Sequence, residues 1–347
     1  MADPSLSEVP THYRSLSILF GYLSLIIVLF FTVCKTIHAR YQARQKRNDW
    51  ATGQRRVQFF LFSFLATLSI GTTWFYMIAF FFHSYDTWAS SSSGLVYSSM
   101  ELSVITRMGL WLKNTYLFQE AWQAVSEDLG RFWWSGQIFG WTIGWGLFIG
   151  ITGRRYRIPR VWVYMLLAQC VSVSFAANLF FATIAVSERP NEKDSSFTWS
   201  PLLVYELLPV VLSLVDAVAV PIFAYQKDFM FILLVPHILT FVPGLLGPRD
   251  SSRATKVQGE KTTRRYAVFL TWIAVTSVAM QAYFTGLLLQ EFGPDVSYGE
   301  VVQQLWDTIY IHPACSSVSW DVIMCTGSSF SWALAHGFKT SQMLGGQ

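Results

Sequence analysis

The chain has 347 residues, of which 52% are hydrophobic, 17% aromatic and only 13% charged, with a formal net charge of +4. So apolar a composition excludes an ordinary soluble domain and is typical of a polytopic membrane protein. The positive charge lies largely in short loops, where it indicates orientation across a membrane rather than binding to nucleic acid. We therefore predict an all-α bundle of transmembrane helices, with a single integral-membrane domain over residues 1–347.

Nine apolar segments are near the length that a helix needs to cross a bilayer. They are residues 16–34, 57–82, 97–118, 132–152, 161–186, 201–223, 229–246, 266–289 and 313–335. The third segment carries three charged residues, and the seventh is short and interrupted by prolines. We expect eight or nine of these segments to span the membrane, with seven as the alternative.

The loops indicate how the segments are oriented. Residues 35–56 and 249–265 are basic and are predicted to be cytosolic, whereas the acidic residues 291–307 are predicted to be lumenal. Four arginines within residues 154–160 would be lumenal in a nine-span chain, against the positive-inside rule. If the third and seventh segments both failed to span, every loop would obey it.

Residues 199–225 contain the sixth segment and carry two carboxylates, Glu206 and Asp216. An acid at bilayer depth is costly, normally faces the protein interior, and by default marks a functional site. Ten residues of helix correspond to about 15 Å of rise and roughly 80° of rotation. Both acids can therefore face one cavity at different depths, although each could instead be a structural, hydrogen-bonded acid.

Two further segments carry polar residues. In the third, Ser103, Arg107 and Asn114 share one helix face, and Glu101 precedes them. An arginine at membrane depth needs a partner, so Arg107 either fixes the charge of Glu206, Asp216 or Asp321 or forms a structural ion pair; alternatively this helix lies on the surface. In the fifth segment, Asn178 either joins helices or orients an acid or a substrate oxygen.

The last segment carries a third acid, Asp321, with Ser317, Ser328 and Trp332 near the same helix face and Trp320 beside it in sequence. Buried carboxyl groups can stay protonated at neutral pH and act as general acids. Aromatic faces stabilise cations without attacking them. This combination suits protonation of an epoxide or alkene on an apolar substrate, and it also suits a proton-coupled transporter.

The chain lacks the sequence motifs of most other enzyme classes. It has no aspartate-rich motif for magnesium and a diphosphate, no D-x-D-D motif, and no nucleotide-binding, serine-hydrolase or zinc-protease motif. Its six histidines and four cysteines lack the spacing of metal ligands. We therefore expect neither a metal nor another cofactor.

Four blocks of sequence carry a resemblance to a known family. They are Asn178-Leu-Phe-Phe, Tyr205-Glu206-Leu-Leu-Pro209-Val with Asp216 and Pro221 after it, Phe241-Val-Pro-Gly244, and Ser317-Val-Ser-Trp-Asp321-Val. On these blocks, and over most of its length, the chain resembles the fungal membrane-bound meroterpenoid terpene cyclases of ascofuranone and ascochlorin biosynthesis. The better-known seven-span fungal cyclases share the chemistry but are markedly shorter than this chain.

The resemblance implies an enzyme of secondary metabolism, of isomerase or lyase type. Its substrate would be a farnesylated aromatic whose terminal alkene has been epoxidised. The enzyme would open that epoxide by acid catalysis, without a metal and without loss of diphosphate. The product would be a cyclic ether if a hydroxyl attacks, or a carbocycle if an alkene attacks.

We expect Asp321, Glu206 or Asp216 to donate the proton, and a second carboxylate or Asn178 to accept a proton or position the nucleophile. The candidate residues for binding the substrate or shielding the cation are Asn178, Arg107, Glu101, Tyr205, Trp199, Trp320 and Trp332.

The expected partners are an apolar epoxidised prenyl-phenol and the lipid bilayer of the endoplasmic reticulum, with no nucleic acid and an oligomeric state left open. A proton-coupled transporter or a receptor for an apolar ligand is the alternative function, and a membrane scaffold is the least favoured.

Overall fold

A computed structural model of the chain describes residues 9–47, 53–98, 100, 102–190, 195–246, 256–293 and 296–346. Within these ranges the chain is helical and contains no strand, which confirms the all-α prediction. The helices are α1 (Tyr13–Lys46), α2 (Gly53–Ser90), α3 (Ser92–Ser98), α4 (Val104–Asn114), α5 (Leu117–Ala124), α6 (Leu129–Arg155), α7 (Val161–Cys170), α8 (Val173–Val186), α9 (Ser195–Thr198), α10 (Leu203–Phe223), α11 (Phe229–Leu239), α12 (Val242–Leu245), α13 (Lys256–Phe292), α14 (Tyr298–Thr308), α15 (Pro313–Ala335) and α16 (Thr340–Met343).

Among the residues that the structure describes, four helices are long and apolar enough to cross a membrane, namely α1, α2, α10 and α13. Two others have the length but a more mixed composition: α6 has 27 residues and α15 has 23. At 1.5 Å per residue these correspond to roughly 40 and 35 Å. The structure is therefore compatible with an integral membrane protein, but the eight or nine spans predicted from the sequence are not confirmed.

The third predicted segment, residues 97–118, is not one helix. It falls on the end of α3, on α4 and on the start of α5. Helix α4 has 11 residues, about 16 Å of rise, which is roughly half of the hydrocarbon thickness. The side chain of Ser103 accepts a hydrogen bond from the Thr106 N–H and so caps the start of α4. This segment therefore does not form a spanning helix.

The fifth predicted segment, residues 161–186, is a helical hairpin rather than one continuous span. Arg40 of α1 donates hydrogen bonds to the carbonyls of Tyr156 (3.3 Å) and Arg157 (2.6 Å), which precede α7. The same guanidinium donates to Ser187 Oγ (2.8 Å), which follows α8. Both ends of the hairpin therefore lie beside the end of α1, and its tip lies inside the bundle.

The chain breaks at the hairpin tip because Ser172 takes an extended conformation there and caps α8 through the Phe175 N–H. Serine is among the preferred N-cap residues, since its hydroxyl satisfies an N–H that lacks a partner in the helix. Every residue of α8 is buried, and the helix packs chiefly against α2, with α7, α15 and α1 also in contact. The hairpin is thus the centre of the bundle.

A cluster of arginines lies at one end of the bundle, and we call it the basic end. Arg154 and Arg155 end α6 there, Arg55 donates to the Ser187 carbonyl (2.9 Å), and Arg40 contacts the turn between α6 and α7. The loops 35–56 and 154–160 were predicted to lie on opposite sides in a nine-span chain, but their described residues, 35–47, 53–56 and 154–160, lie together. Since the third segment does not span, the conflict with the positive-inside rule disappears.

Helices α11 and α12 lead back to the basic end from the opposite end of the bundle, where α2 ends and α6 begins. At that opposite end, Gln123 Nε2 donates to the Ala224 carbonyl (3.1 Å). At the basic end, Arg154 donates to the carbonyls of Pro243 (3.0 Å) and Leu246 (3.4 Å). The seventh predicted segment is thus two short helices that together traverse the bundle.

Candidate functional site

A cavity of about 650 Å³ lies around the tip of the hairpin. Its walls come from α1, α2, α4, α5, α6, α7, α8, α11 and α15 and are mostly apolar and aromatic. This volume falls within the range of pockets that hold small molecules, about 300–1,000 Å³. We call it the central cavity, and its few polar groups define what it can do chemically.

Asp321 of α15 lines the central cavity and is only 7% exposed. Its Oδ2 accepts a hydrogen bond from the Val173 N–H (2.9 Å) and its Oδ1 accepts one from the Ser174 N–H (2.8 Å). These are the first two residues of α8, whose N–H groups have no partner within the helix and carry the positive end of its dipole. The carboxylate is therefore held in one orientation at the cavity wall.

The other side of the hairpin tip also presents polar groups to the cavity. Tyr22 of α1 donates its phenolic hydrogen to the Cys170 carbonyl at the end of α7, and Gln169 Nε2 donates to Thr240 Oγ1 (3.2 Å). Tyr22, Cys170, Gln169 and Thr240 all line the central cavity. Irregular backbone at membrane depth is tolerated where it lines such a cavity. The cavity therefore accounts for the break between α7 and α8.

His237 of α11 is the one histidine in the cavity wall as described. Its Nδ1 lies 2.7 Å from the Leu233 carbonyl, so the hydrogen-bond network assigns the proton to Nδ1 and leaves Nε2 as an acceptor. The ring packs edge-on against Trp122, with ring centroids 5.6 Å apart. No described side chain donates to Nε2, which therefore remains able to accept a proton from a ligand.

Glu206 lies elsewhere, at the basic end, and is fully buried. Its Oε1 accepts hydrogen bonds from Arg154 (3.0 Å) and from the Tyr266 hydroxyl (3.0 Å), and its Oε2 pairs with Arg265 (3.3 Å). The two guanidinium groups and the phenol stabilise the ionised form of the carboxylate, whereas its burial opposes ionisation. This cluster ties α10 to α6 and α13.

Trp199 belongs to the same cluster rather than to the cavity. The Arg154 guanidinium lies 5.6 Å from the centre of the Trp199 ring, a cation–π geometry. The cation that Trp199 shields is thus an arginine of the protein. Neither Trp199 nor Glu206 lines the central cavity.

Asp216 and Tyr205 of α10 also lie outside the cavity wall. Asp216 is partly buried, and Tyr205 is 53% exposed on the outer face of the bundle. The expectation that Glu206, Asp216 and Asp321 face one cavity therefore does not match the structure. The side chains that α10 buries include Val210, Leu214 and Ala217, so packing determines which face of the helix is inside.

Asn178 joins helices. It is fully buried, and its Nδ2 donates to Ser69 Oγ of α2 (3.2 Å) and Ser328 Oγ of α15 (2.8 Å). Among the described contacts it shares no hydrogen-bond partner with Glu206. Trp332 is likewise a packing residue, because its ring stacks on Phe181 with centroids 4.5 Å apart.

The remaining predicted site residues are not brought to the cavity by the described structure. Arg107 is partly buried on α4 and forms no ion pair with a described acid. Glu101 lies outside the described residues. Trp320 is partly buried next to Asp321 in sequence but is not among the lining residues.

Sequence reasoning missed Tyr22, Gln169, Ser172, Trp122 and His237, all of which line the cavity. Two of these had a detectable signal. Ser172 precedes an apolar helix as an N-cap residue does, and His237 is an ionisable residue inside an apolar segment. Tyr22, Gln169 and Trp122 had none, because their relation to the site depends on which helices pack together.

Among the described residues no group of three or more His, Cys, Asp or Glu side chains could hold a metal ion. No protein-family model, curated protein or solved structure matches the chain. The class that the fold and site define is a helical bundle with four helices able to cross a membrane and an apolar cavity with one buried acid.

Proposed function

We propose that the protein is an integral membrane terpene cyclase that opens the terminal epoxide of a farnesylated phenol by acid catalysis. The observation that carries the proposal is Asp321, a buried carboxyl group held by two backbone N–H groups in the wall of a large apolar cavity. The cavity suits a prenylated aromatic in size and polarity. Asp321 is the proton donor.

The two N–H groups on Asp321 make the proton transfer easier. Each carboxyl oxygen has two lone pairs, so Asp321 can carry a proton and still accept from Val173 and Ser174. When the proton moves to the epoxide oxygen, the carbon–oxygen bond breaks and the cation forms at the more substituted carbon. The carboxylate left behind is stabilised by the N–H groups and by the start of α8.

The aromatic wall and His237 serve the second half of the reaction. Trp122 and Phe139 line the cavity and offer ring faces to the cation without a nucleophilic atom. His237 Nε2 takes the proton that is released when a hydroxyl attacks or when a carbocation loses hydrogen. One proton is supplied and one is removed, so the overall reaction is an isomerisation. His237 thereby takes the role expected of Asn178 or a second carboxylate.

The same proposal includes a topology. Seven passes, made by α1, α2, α6, α10, α11 with α12, α13 and α15, cross the membrane, and α7 with α8 enters from the basic end and returns to it. The basic end is cytosolic in an endoplasmic reticulum membrane, since short arginine-rich loops remain on that side. The contacts of Arg40 with both ends of the hairpin support this arrangement.

The test is turnover of an epoxyfarnesyl phenol by microsomes that contain wild-type protein or a variant. We expect Asp321→Asn to lose about 100-fold or more of its turnover per folded molecule. Asp216→Asn is the matched control, since this acid lies outside the cavity wall, and it should react as wild type does. Full turnover by Asp321→Asn would contradict the proposal.

A proton-coupled transporter or a receptor for an apolar ligand is the second candidate. The observation that favours it is the broken helix, because transporters build binding sites from half-helices whose ends meet the substrate or its coupling ion. Turnover by protein solubilised in detergent separates the two functions, since transport needs a sealed compartment. Ligand binding without any product would favour a receptor.

A further inference from the structure

A second cavity, of about 360 Å³, lies at the basic end. Its walls are the last turns of α1, the turn between α6 and α7, and the residues that follow α8. Five arginines line it, namely Arg40, Arg44, Arg155, Arg157 and Arg189. Neither the proposed reaction nor the central cavity uses these side chains.

The charge around this cavity is strongly positive. Glu188 is the one acid among the described lining residues, and it forms a salt bridge with Arg47. The described residues that meet here, 35–47, 53–56, 154–160 and 187–190, contain 12 lysines and arginines and one acid. In sequence, residues 35–56, 154–160 and 187–196 contain 13 basic and 4 acidic residues, so a large positive excess would remain to attract an anion even if every one of those acids were paired.

At least one arginine in the wall is already held in place. Arg40 donates to two backbone carbonyls and to the Ser187 hydroxyl, all of which are neutral. Its orientation is therefore fixed, and none of these described partners neutralises its charge. Arg44 and Arg155 are also buried in the wall, whereas Arg157 and Arg189 are exposed at the rim.

If α1 crosses a bilayer along its normal, the cavity lies close to the lipid headgroups. The apolar run of α1 ends at Cys34, and Arg40 lies about 9 Å further along the helix axis. The polar layer of a bilayer begins where the hydrocarbon ends and is roughly 5–8 Å thick on each side, so the Arg40 backbone lies at its outer edge. We propose that this cavity binds the phosphate group of an anionic lipid headgroup, at the point where α1 meets both ends of the hairpin.

Binding at this point stabilises the fold around the hairpin. The ligand touches α1 and the segments on both sides of α7 and α8, so it holds together elements that are far apart in sequence. A ligand that binds only the folded protein raises its midpoint of thermal unfolding, and the rise grows with the logarithm of the ligand concentration once that exceeds Kd. The inference is independent of the cyclase proposal, because it concerns another cavity and its test measures no turnover.

The experiment measures binding of short-chain phosphatidic acid to the full-length protein in detergent, with phosphatidylcholine as the zwitterionic comparison. The double variant Arg157→Gln/Arg189→Gln removes the two exposed arginines of the rim. The matched control is Arg56→Gln/Arg160→Gln, which removes two exposed arginines nearby that do not line the cavity. Arg157 and Arg160 both have positive φ values, 50° and 55°. Each double variant therefore places one glutamine at a left-handed backbone position, so any backbone strain is matched.

We expect phosphatidic acid to bind wild type and the control with similar affinity and to raise their thermal midpoints. Each rim arginine removed should weaken binding roughly five-fold, and the pair about 25-fold. Equal weakening of both double variants, or of neither, would overturn the proposal. If the rim variant does not fold, Arg189→Gln alone carries the test.

Inorganic phosphate identifies the source of the phosphate group. Stabilisation by millimolar phosphate with the same dependence on Arg157 and Arg189 would assign the site to a soluble phosphate compound. Stabilisation by phosphatidic acid but not by inorganic phosphate would assign it to a lipid. Binding of phosphatidylcholine as tight as that of phosphatidic acid would refute a site that recognises anions.

Discussion

The buried cluster around Glu206 allows a sharp test of whether this acid is structural or catalytic. In Glu206→Gln the neutral amide keeps one oxygen, which can still accept from the Tyr266 hydroxyl or from Arg154. It loses the negative charge that faces two guanidinium groups at 3.0 and 3.3 Å. The amide nitrogen can only donate, so the Arg265 side chain loses its acceptor.

The expected cost follows from the burial of this cluster. Removing one partner of a buried ion pair typically destabilises a protein by about 3–5 kcal/mol, because the other charge stays buried without compensation. Glu206 is fully buried and the Arg154 side chain is only 6% exposed, so this range applies. With an unfolding entropy of about 2.1 cal/mol/K per residue and 347 residues, the midpoint of thermal unfolding should fall by about 4–7 °C.

The assay combines thermal unfolding in detergent with turnover per folded molecule at a temperature where both proteins are folded. Asp216→Asn, ten residues along the same helix and without a described ion-pair partner, is the control and should change the midpoint by less than about 1 °C. We expect Glu206→Gln to be less stable but as active as wild type per folded molecule. A variant that is as stable as wild type yet inactive would refute this reasoning and return Glu206 to the catalytic site.

Two further predictions concern pH dependence and close packing. Burial, and then the nearby charges of His83 and Arg131, lower the pKa of His312 to about 4, below its unfolded value near 6.5. Stability should therefore fall as pH drops from about 6.5 towards 4, and His312→Asn, which keeps an N-cap acceptor for α15, should flatten that dependence of the thermal midpoint. A Cβ on Gly150 would lie 2.6 Å from the Pro243 carbonyl oxygen, whereas one on Gly144 would meet its nearest atom at 4.0 Å. Thermal unfolding should show Gly150→Ala destabilised by about 1–3 kcal/mol and Gly144→Ala unchanged or stabilised. Unchanged pH dependence in His312→Asn, or equal stability of the two glycine variants, would contradict these assignments.

Helices whose boundaries depend on local signals were predicted well. The segment 313–335 coincides with α15, because His312 caps its start, Pro313 suits the first helical position, and the apolar run continues to its end. The cores of α1, α2, α10 and α13 also follow the predicted segments. In each of these, hydrophobic length alone indicates a helix that could cross a bilayer.

The hairpin of α7 and α8 shows where such reasoning fails. Residues 161–186 contain no proline and no glycine, so their hydrophobicity predicts one continuous helix. The chain nevertheless breaks at Ser172, because a carboxylate from a distant helix, Asp321, satisfies the Val173 and Ser174 N–H groups that the break exposes. No local pattern encodes that partner, which lies almost 150 residues further along the chain.

The candidate site also has features that the sequence predicts and features that only tertiary packing determines. Composition and hydrophobic length are sums over single residues, so the sequence alone predicts a helical bundle with apolar spans. It also identifies Asp321 as an acid that is costly at membrane depth and therefore a candidate functional residue. Whether Glu206 meets a ligand or two arginines depends on how α6, α10 and α13 pack, and that choice is settled by charge pairing between elements far apart in sequence. The separation of the three acids and the position of His237 in the cavity wall were likewise determined only by the tertiary packing of helices that are far apart in sequence.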